Sequence, residues 1–163
     1  MSDTGRILVI DDDESIRKTI SKALEMAGYK VDTAENGKEA LEKTRANFYN
    51  LALIDIRLPD MQGTRLLTSM KDTTPRMVKI ILTGYPALDN AIDAVNKGAD
   101  SYITKPVKMD KLLEVIKEQL RMQHKENEYS QQKVAEYVET RLKDIEVRKG
   151  QSSQKDARKT ERH

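Results

Sequence analysis

The chain has 163 residues, of which 29 are basic and 27 acidic, and it contains no cysteine. This length allows one full hydrophobic core with an appendage, and the lack of cysteine excludes disulfides and thiolate metal sites, as is usual for a cytoplasmic protein. The net charge of +2 gives no reason to expect a nucleic-acid partner, and no apolar run approaches the roughly 18 residues that a membrane span needs.

Two kinds of apolar segment alternate along the first 120 residues. Short continuous or alternating apolar runs predict strands at residues 6–10, 29–34, 51–56, 77–82 and 101–104. Apolar residues at helical spacing predict five helices: one stopping at Gly28, one ending near 46–48, a short one with Leu66 and Leu67, one over 87–98, and one from Met109. The alternation predicts an α/β fold, a doubly wound five-stranded parallel sheet of order 2-1-3-4-5.

Polar residues stand at the ends of four predicted strands: Asp11 and Asp12 after the first, Asp55 in the third, Thr83 after the fourth and Lys105 after the fifth. In this strand order, ligands are expected beyond the carboxyl ends of strands 1 and 3. Three carboxylates placed there repel one another and need protons or a cation. A hard divalent ion, Mg²⁺ above all, suits their oxygens, and a nearby ammonium and hydroxyl predict a site for a phosphoryl group.

Taken singly, these residues have simpler interpretations. Asp11 could cap the following helix, and Lys105 could be an ordinary surface lysine. Asp55 is harder to explain in this way, because an unpaired carboxylate among apolar residues is strongly unfavourable. The joint occurrence of the four strand ends favours a functional site.

The motifs ILVIDDDESIR, LALIDIRLPDMQG, KIILTGYP and DSYITKPV together resemble the receiver domain of response regulators in two-component signalling. The resemblance covers about residues 5–121 and implies a flavodoxin-like receiver fold. It also implies a phosphorylation-activated signalling switch in the cytoplasm. Such a protein is not an enzyme, apart from catalysing its own phosphorylation and dephosphorylation.

The resemblance assigns a role to each acidic residue. Asp55 would accept a phosphoryl group from the histidine of a sensor kinase. Asp11, Asp12, Asp55 and the backbone carbonyl of Arg57 would hold Mg²⁺. The side chains of Arg57 and Tyr85 would flank the phosphoryl group and tune its lifetime.

The resemblance also implies the parts of a switch. Lys105 would pair with one phosphoryl oxygen, and the Thr83 hydroxyl would donate to another. Tyr102 would turn inward when Thr83 moves. The Lys105–Pro106 peptide bond would be cis.

The segment after the predicted domain has a different character. It lacks Gly and Pro from Lys108 to Lys149, which predicts a charged helical extension over 122–149, followed by a disordered basic tail at 150–163. A narrow apolar stripe at helical spacing is formed by Val134, Val138, Leu142 and Ile145. The stripe could pack on a partner or a second copy, could belong to a solvated helix without a role, or could contact nucleic acid or a membrane.

The expected partners are a sensor histidine kinase and a downstream protein, and nucleic acid is an unlikely one. A homodimer could form through residues 88–122 or through the tail. His124 and His163 lack the neighbours of a phosphorelay histidine and are expected to be solvated.

Two rival functions remain open. A phosphatase of the haloacid dehalogenase type would need a second Asp two residues after its nucleophile, but Arg57 occupies that position. A receiver-like scaffold that binds without phosphorylation usually lacks one of the acids or the lysine, whereas this chain has all of them.

Overall fold

The computed structural model describes residues 5–70, 72–73, 75–84 and 88–160. Within this part of the chain, one sheet of five parallel strands has the order β2-β1-β3-β4-β5, which confirms the predicted fold. The strands are β1 (Arg6–Ile10), β2 (Lys30–Ala34), β3 (Leu51–Asp55), β4 (Val78–Thr83) and β5 (Ser101–Thr104). The helices are α1 (Glu14–Met26), α2 (Gly37–Ala46), α3 (Gly63–Ser69), α4 (Leu88–Asn96) and α5 (Met109–Thr160).

The inner strands are apolar on both faces of the sheet, because helices cover both faces. Successive side chains of a strand point to opposite faces. Leu8 and Ile10 of β1 therefore pack in a cluster with residues of α2, α3 and α4. Ile7 and Val9 pack in a second cluster with residues of α1 and α5. The sheet is thus doubly wound, as predicted.

Local signals in the sequence set the helix ends. The side chain of Asp13 accepts a hydrogen bond from the amide of Ile16 at the start of α1, as N-cap residues do. Gly28 and Gly98 follow α1 and α4 with φ of 100° and 102°, a conformation that favours glycine and stops a helix. Both glycines therefore act as the predicted helix stops.

The sheet register brings the polar strand ends together. Ile10 of β1 pairs with Ile54 of β3, so the residues that follow each of them, Asp11 and Asp55, are neighbours at the carboxyl edge. On the other side of β3, the amide of Lys105 donates to the carbonyl of Thr83 at 2.6 Å. The strand order reverses between β1 and β3, where the sequence predicts the site.

The loop that leaves β3 folds back tightly on the strand. The Gly63 amide donates to the carbonyl of Ile56 at 2.7 Å, and the Leu58 amide donates to that of Met61 at 3.2 Å. A Cβ at position 63 would lie 2.4 Å from the carbonyl oxygen of Asp55 and 2.8 Å from the Cα of Ile56. Position 63 thus requires glycine, because the backbone of the strand end occupies the space of a side chain.

The last helix is longer than the sequence analysis expects. It continues to Thr160, so the prediction of disorder from residue 150 is wrong for residues 150–160. A single glycine such as Gly150 lowers helix stability by only about 1 kcal/mol relative to alanine, and no proline follows it. Residues 161–163 lie outside the described part of the chain.

The chain divides into two compact units, Met1–His124 and Lys125–His163. The first contains the sheet, while the predicted limits of 5–121 and 122–149 stay predictions. In the part of the chain that the structure describes, no helix is both long and apolar enough to cross a membrane.

We expect Gly63→Ala to lower the free energy of unfolding by about 1–3 kcal/mol, the usual effect of overpacking, because the new methyl group would meet fixed backbone. Chemical denaturation followed by circular dichroism measures the change. Gly84→Ala is the control, since the described residues leave the space around Gly84 open. Equal effects of the two substitutions would contradict this account of the loop.

Candidate functional site

Three carboxylates converge at the carboxyl edge of the sheet. Asp11, Asp12 and Asp55 each offer an oxygen, and these oxygens all lie within 4.8 Å of one another. Asp11 and Asp55 are buried, with 2% and 8% of their surface exposed, whereas Asp12 is exposed. The predicted cluster therefore exists, with two members inside the protein and one facing solvent.

Lys105 places an ammonium group beside the buried acids. Its Nζ donates to Asp11 Oδ2 at 2.8 Å and lies 3.6 Å from Asp55 Oδ2. Burial lowers the pKa of Lys105, but the Asp11 and Asp55 carboxylates outweigh burial and hold the pKa above its ordinary value. Lys105 therefore stays charged and contributes one positive charge against three carboxylates.

The surroundings of Asp55 make its ionised form unfavourable. Burial raises its pKa, and the neighbouring Asp11 carboxylate raises it further. Lys105 and a hydrogen bond from the Arg57 amide act in the opposite direction, and the net result is a pKa of about 6. The ionised form of Asp55 is thus disfavoured until more positive charge arrives.

Backbone amides orient the two buried carboxylates. Asp11 Oδ1 accepts from the amide of Asp13 at 2.9 Å, and Asp55 Oδ1 accepts from the amide of Arg57 at 3.2 Å. Each carboxylate is therefore held by the turn that follows its own strand. In both residues the other oxygen, Oδ2, faces Lys105.

These residues fit a divalent cation. Hard ions such as Mg²⁺ and Ca²⁺ prefer carboxylate oxygens. Burial and the Asp11 carboxylate raise the pKa of Asp55, so a bound cation would favour its ionised form. Asp11, Asp12 and Asp55 could hold a metal. The part assigned to the Arg57 carbonyl stays a prediction, and Tyr85 lies outside the described residues.

The remaining predicted residues occupy β4 and β5. Thr83 ends β4 and is fully buried. Tyr102 of β5 pairs with Ile81 of β4, two residues before Thr83, so the pleat directs Tyr102 and Thr83 to the same face. Tyr102 is partly exposed and packs on the cluster of that face. The Lys105–Pro106 bond is cis, as predicted.

Arg17 is a site residue that the sequence analysis missed. This α1 residue is buried, and its Nη1 donates to the backbone carbonyl of Asp11 at 2.7 Å. Its Nη2 lies 3.4 Å from Oε1 of Glu35, beyond β2. The signal was present in the sequence, because Arg17 shares the buried face of α1 with Ile20 and Leu24 at spacings of three and four residues.

Asp60 was missed as well. Its two carboxylate oxygens accept from the amides of Gly37 and Lys38, at 2.8 and 2.9 Å, at the N-terminus of α2. These bonds lower the pKa of Asp60. Asp60 thus ties the loop after Asp55 to α2. Its sequence signal is weak, since aspartate after proline is common in turns.

Fold and site together define a doubly wound α/β domain with an acidic, lysine-paired cluster at its topological switch point. Comparison with known proteins identifies the family. The model of the response regulator receiver domain matches residues 7–117. The chain therefore belongs to the response regulator receiver domain family, whose members are signalling domains of two-component systems.

Individual relatives agree with this assignment. The CheY-like receiver domain protein of Methanospirillum hungatei is 48% identical, and the alignment covers 76% of this chain and 98% of that one, with a TM-score of 0.72. A response regulator of Burkholderia pseudomallei, solved with a phosphorylated aspartic acid, a calcium ion and citrate, is 35% identical. That match covers 67% of this chain and 64% of the other, with a TM-score of 0.64.

The transcriptional regulatory protein ZraR of Klebsiella oxytoca is 40% identical over 114 residues, which are 70% of this chain. The chain spans only 26% of the length of that relative. Because ZraR is a transcriptional regulatory protein, the comparison gives no support to the expectation that nucleic acid is an unlikely partner.

We expect Arg17→Ala to lower the free energy of unfolding by about 1.5–3 kcal/mol, the range for a hydrogen bond to a charged group. Urea denaturation at neutral pH measures the change. The neighbouring Lys18→Ala is the control: Lys18 forms an exposed i,i+4 pair with Glu14, so we expect its loss to change the free energy of unfolding little. Similarly small changes in the free energy of unfolding for the two variants would show that the Arg17 hydrogen bond does not stabilise the turn after Asp11.

We expect Asp55→Asn to raise the free energy of unfolding of the metal-free protein by about 1–3 kcal/mol at pH 7. Folding raises the pKa of Asp55 from 3.8 to about 6, so above pH 6 the ionised carboxyl group destabilises the folded wild type. Below pH 3.8, Asp55 is protonated in both the folded and the unfolded protein, and this destabilisation disappears. The gain should therefore vanish as the pH falls below 3.8. Mg²⁺ should stabilise the wild type more than the variant.

Denaturation curves between pH 3 and 8 test this dependence. The control is Glu25→Gln, which removes an exposed acid of α1 and should change the free energy of unfolding little at any pH. A destabilising effect of Asp55→Asn at pH 7 without metal would contradict the electrostatic account.

Proposed function

We propose that the protein is a phosphorylation-activated signalling switch of the cytoplasm, in which Asp55 accepts a phosphoryl group from the phosphorylated histidine of a sensor kinase. The observation that carries the proposal is the placement of Asp55 at the end of β3, with Asp11, Asp12 and Lys105 around it. The phosphorylated aspartic acid in the related B. pseudomallei protein supports the choice of an aspartate as acceptor.

The transfer exchanges one bond to phosphorus for another. The bond between phosphorus and the histidine nitrogen breaks with its electron pair remaining on nitrogen, while a carboxylate oxygen of Asp55 bonds to phosphorus. Hydrolysis of the resulting mixed anhydride returns Asp55 and inorganic phosphate. Both steps depend mainly on position and charge neutralisation, so the domain promotes its own phosphorylation and dephosphorylation without acting on a separate substrate.

The chain's own groups position and neutralise the incoming phosphoryl group. Lys105, already 3.6 Å from Asp55 Oδ2, would pair with a phosphoryl oxygen. Asp11, Asp12, Asp55 and the carbonyl of Arg57 would hold Mg²⁺, which supplies the positive charge that the acidic cluster lacks. The amide of Arg57 keeps the other oxygen of Asp55 oriented.

Thr83 and Tyr102 would convert phosphorylation into a change of surface. The Thr83 hydroxyl would donate to a phosphoryl oxygen, and the space that it leaves on the shared face of β4 and β5 would admit the ring of Tyr102. Phosphorylation would then favour an alternative arrangement through contacts that are better in that arrangement. Ala94 of α4 belongs to the cluster on which Tyr102 packs. Ile92 and Val95 of the same helix are exposed and would contribute to contact with a downstream protein.

Intact-mass spectrometry after incubation with acetyl phosphate tests the proposal. With Mg²⁺ present, we expect one phosphoryl group on the wild-type chain and none on Asp55→Asn or after the metal is chelated. Asp110→Asn, which removes an exposed acid of α5, is the matched control and should leave the adduct unchanged. An adduct on Asp55→Asn would place the acceptor elsewhere, and its absence from the wild type would favour a receiver-like scaffold.

A further inference from the structure

The described side chains of the unit Lys125–His163 leave an apolar stripe open to solvent. Val138, Leu142 and Ile145 are 48%, 56% and 47% exposed, and Ala135 is also exposed. The successive spacings of the four residues are three, four and three, which is the seam of a coiled coil. With Ala135 and Leu142 at heptad position a, Val138 and Ile145 take position d.

The residues beside this seam carry a regular charge pattern. Between residues 135 and 148, the e positions on one side hold Glu139 and Glu146, and the g positions on the other side hold Arg141 and Arg148. Val134, which the sequence analysis placed in the stripe, takes the preceding g position beside Ala135. Charges at e and g decide which helix pairs with which, and in which orientation. One flank of the stripe is therefore acidic and the other basic.

This pattern favours pairing with an identical helix in one orientation. In a parallel pair, each g residue faces the e residue five positions further along the other helix, so Arg141 would face Glu146 of the second copy, twice per pair. In an antiparallel pair, e faces e and g faces g, which would set glutamate against glutamate and arginine against arginine.

We propose that a second copy of this chain covers the stripe, as a parallel, in-register coiled coil centred on residues 135–145. The next core positions of the heptad pattern are polar: Gln131 precedes the stripe and Lys149 follows it. The core of the coiled coil therefore has only four apolar layers. The dimer is accordingly weak and concentration-dependent. This assembly goes beyond the proposed function and does not require phosphorylation.

Sedimentation of the full chain over a range of concentrations gives the first test. We expect a reversible monomer–dimer equilibrium whose dissociation constant rises at least about tenfold in Leu142→Gln, as the loss of a central apolar layer predicts. Val147→Gln is the matched control, because Val147 is 60% exposed but lies off the seam, and it should change the constant by less than about twofold. A monomer at all concentrations, or equal responses of the two variants, would overturn the proposal.

Charge exchange tests the orientation. Arg141→Glu and Glu146→Arg should each weaken the dimer, and the double variant should restore it. In an antiparallel dimer, Arg141 and Glu146 would not face each other, so the double variant would not recover what the single exchanges lose. Tighter dimerisation of the single variants, or no recovery in the double variant, would overturn the parallel register.

Cross-linking gives an independent readout, because the chain contains no cysteine. Under mild oxidation, Leu142→Cys should form a covalent dimer, since in-register a positions bring the two sulfur atoms within reach. Val147→Cys should not. A dimer that persists in Leu142→Gln, and that does not cross-link through Leu142→Cys, would use another surface and would contradict the proposed coiled coil. Binding of the stripe to a different protein, without self-association, would equally contradict the assignment of a second copy.

Discussion

Mutual repulsion among three carboxylates is the constraint on which the rest of this domain depends. The parallel sheet ends β1 and β3 side by side, and Asp11, Asp12 and Asp55 therefore bring oxygens within 4.8 Å of one another. One ammonium group, that of Lys105, contacts the two buried acids but leaves the pKa of Asp55 at about 6. Such a site favours the binding of a divalent cation.

Keeping like charges together requires rigid support. Arg17 holds the carbonyl of Asp11, Gly63 lets the loop after Asp55 lie directly on the strand end, and Asp60 fastens that loop to α2. None of these residues has to touch a phosphoryl group. Their contacts fix the turns from which Asp11 and Asp55 project, so that the repulsion is not relieved by movement of the strand ends.

The sequence predicted those features that follow from periodicity and strand ends. Apolar runs identified all five strands, and Asp55 stood out because it interrupts one of them. Arg17 was missed because a basic residue on a helix is normally exposed, although its place in line with Ile20 was informative. Asp60 depends on contact with a helix more than twenty residues earlier in the chain, which local patterns do not encode. The end of α5 was predicted too early because Gly150 was treated as a helix stop, whereas the helix continues to Thr160.

The most direct test of this account is the pKa of the Asp55 carboxyl group, measured by carbon-13 NMR of the 163-residue chain. In the metal-free protein we predict a value near 6, well above the ordinary 3.8, and a fall below the metal-free value when Mg²⁺ is added. Asp55→Asn identifies the resonance by its disappearance. An ordinary value that does not respond to Mg²⁺ would contradict the claim that the acidic cluster is held short of positive charge.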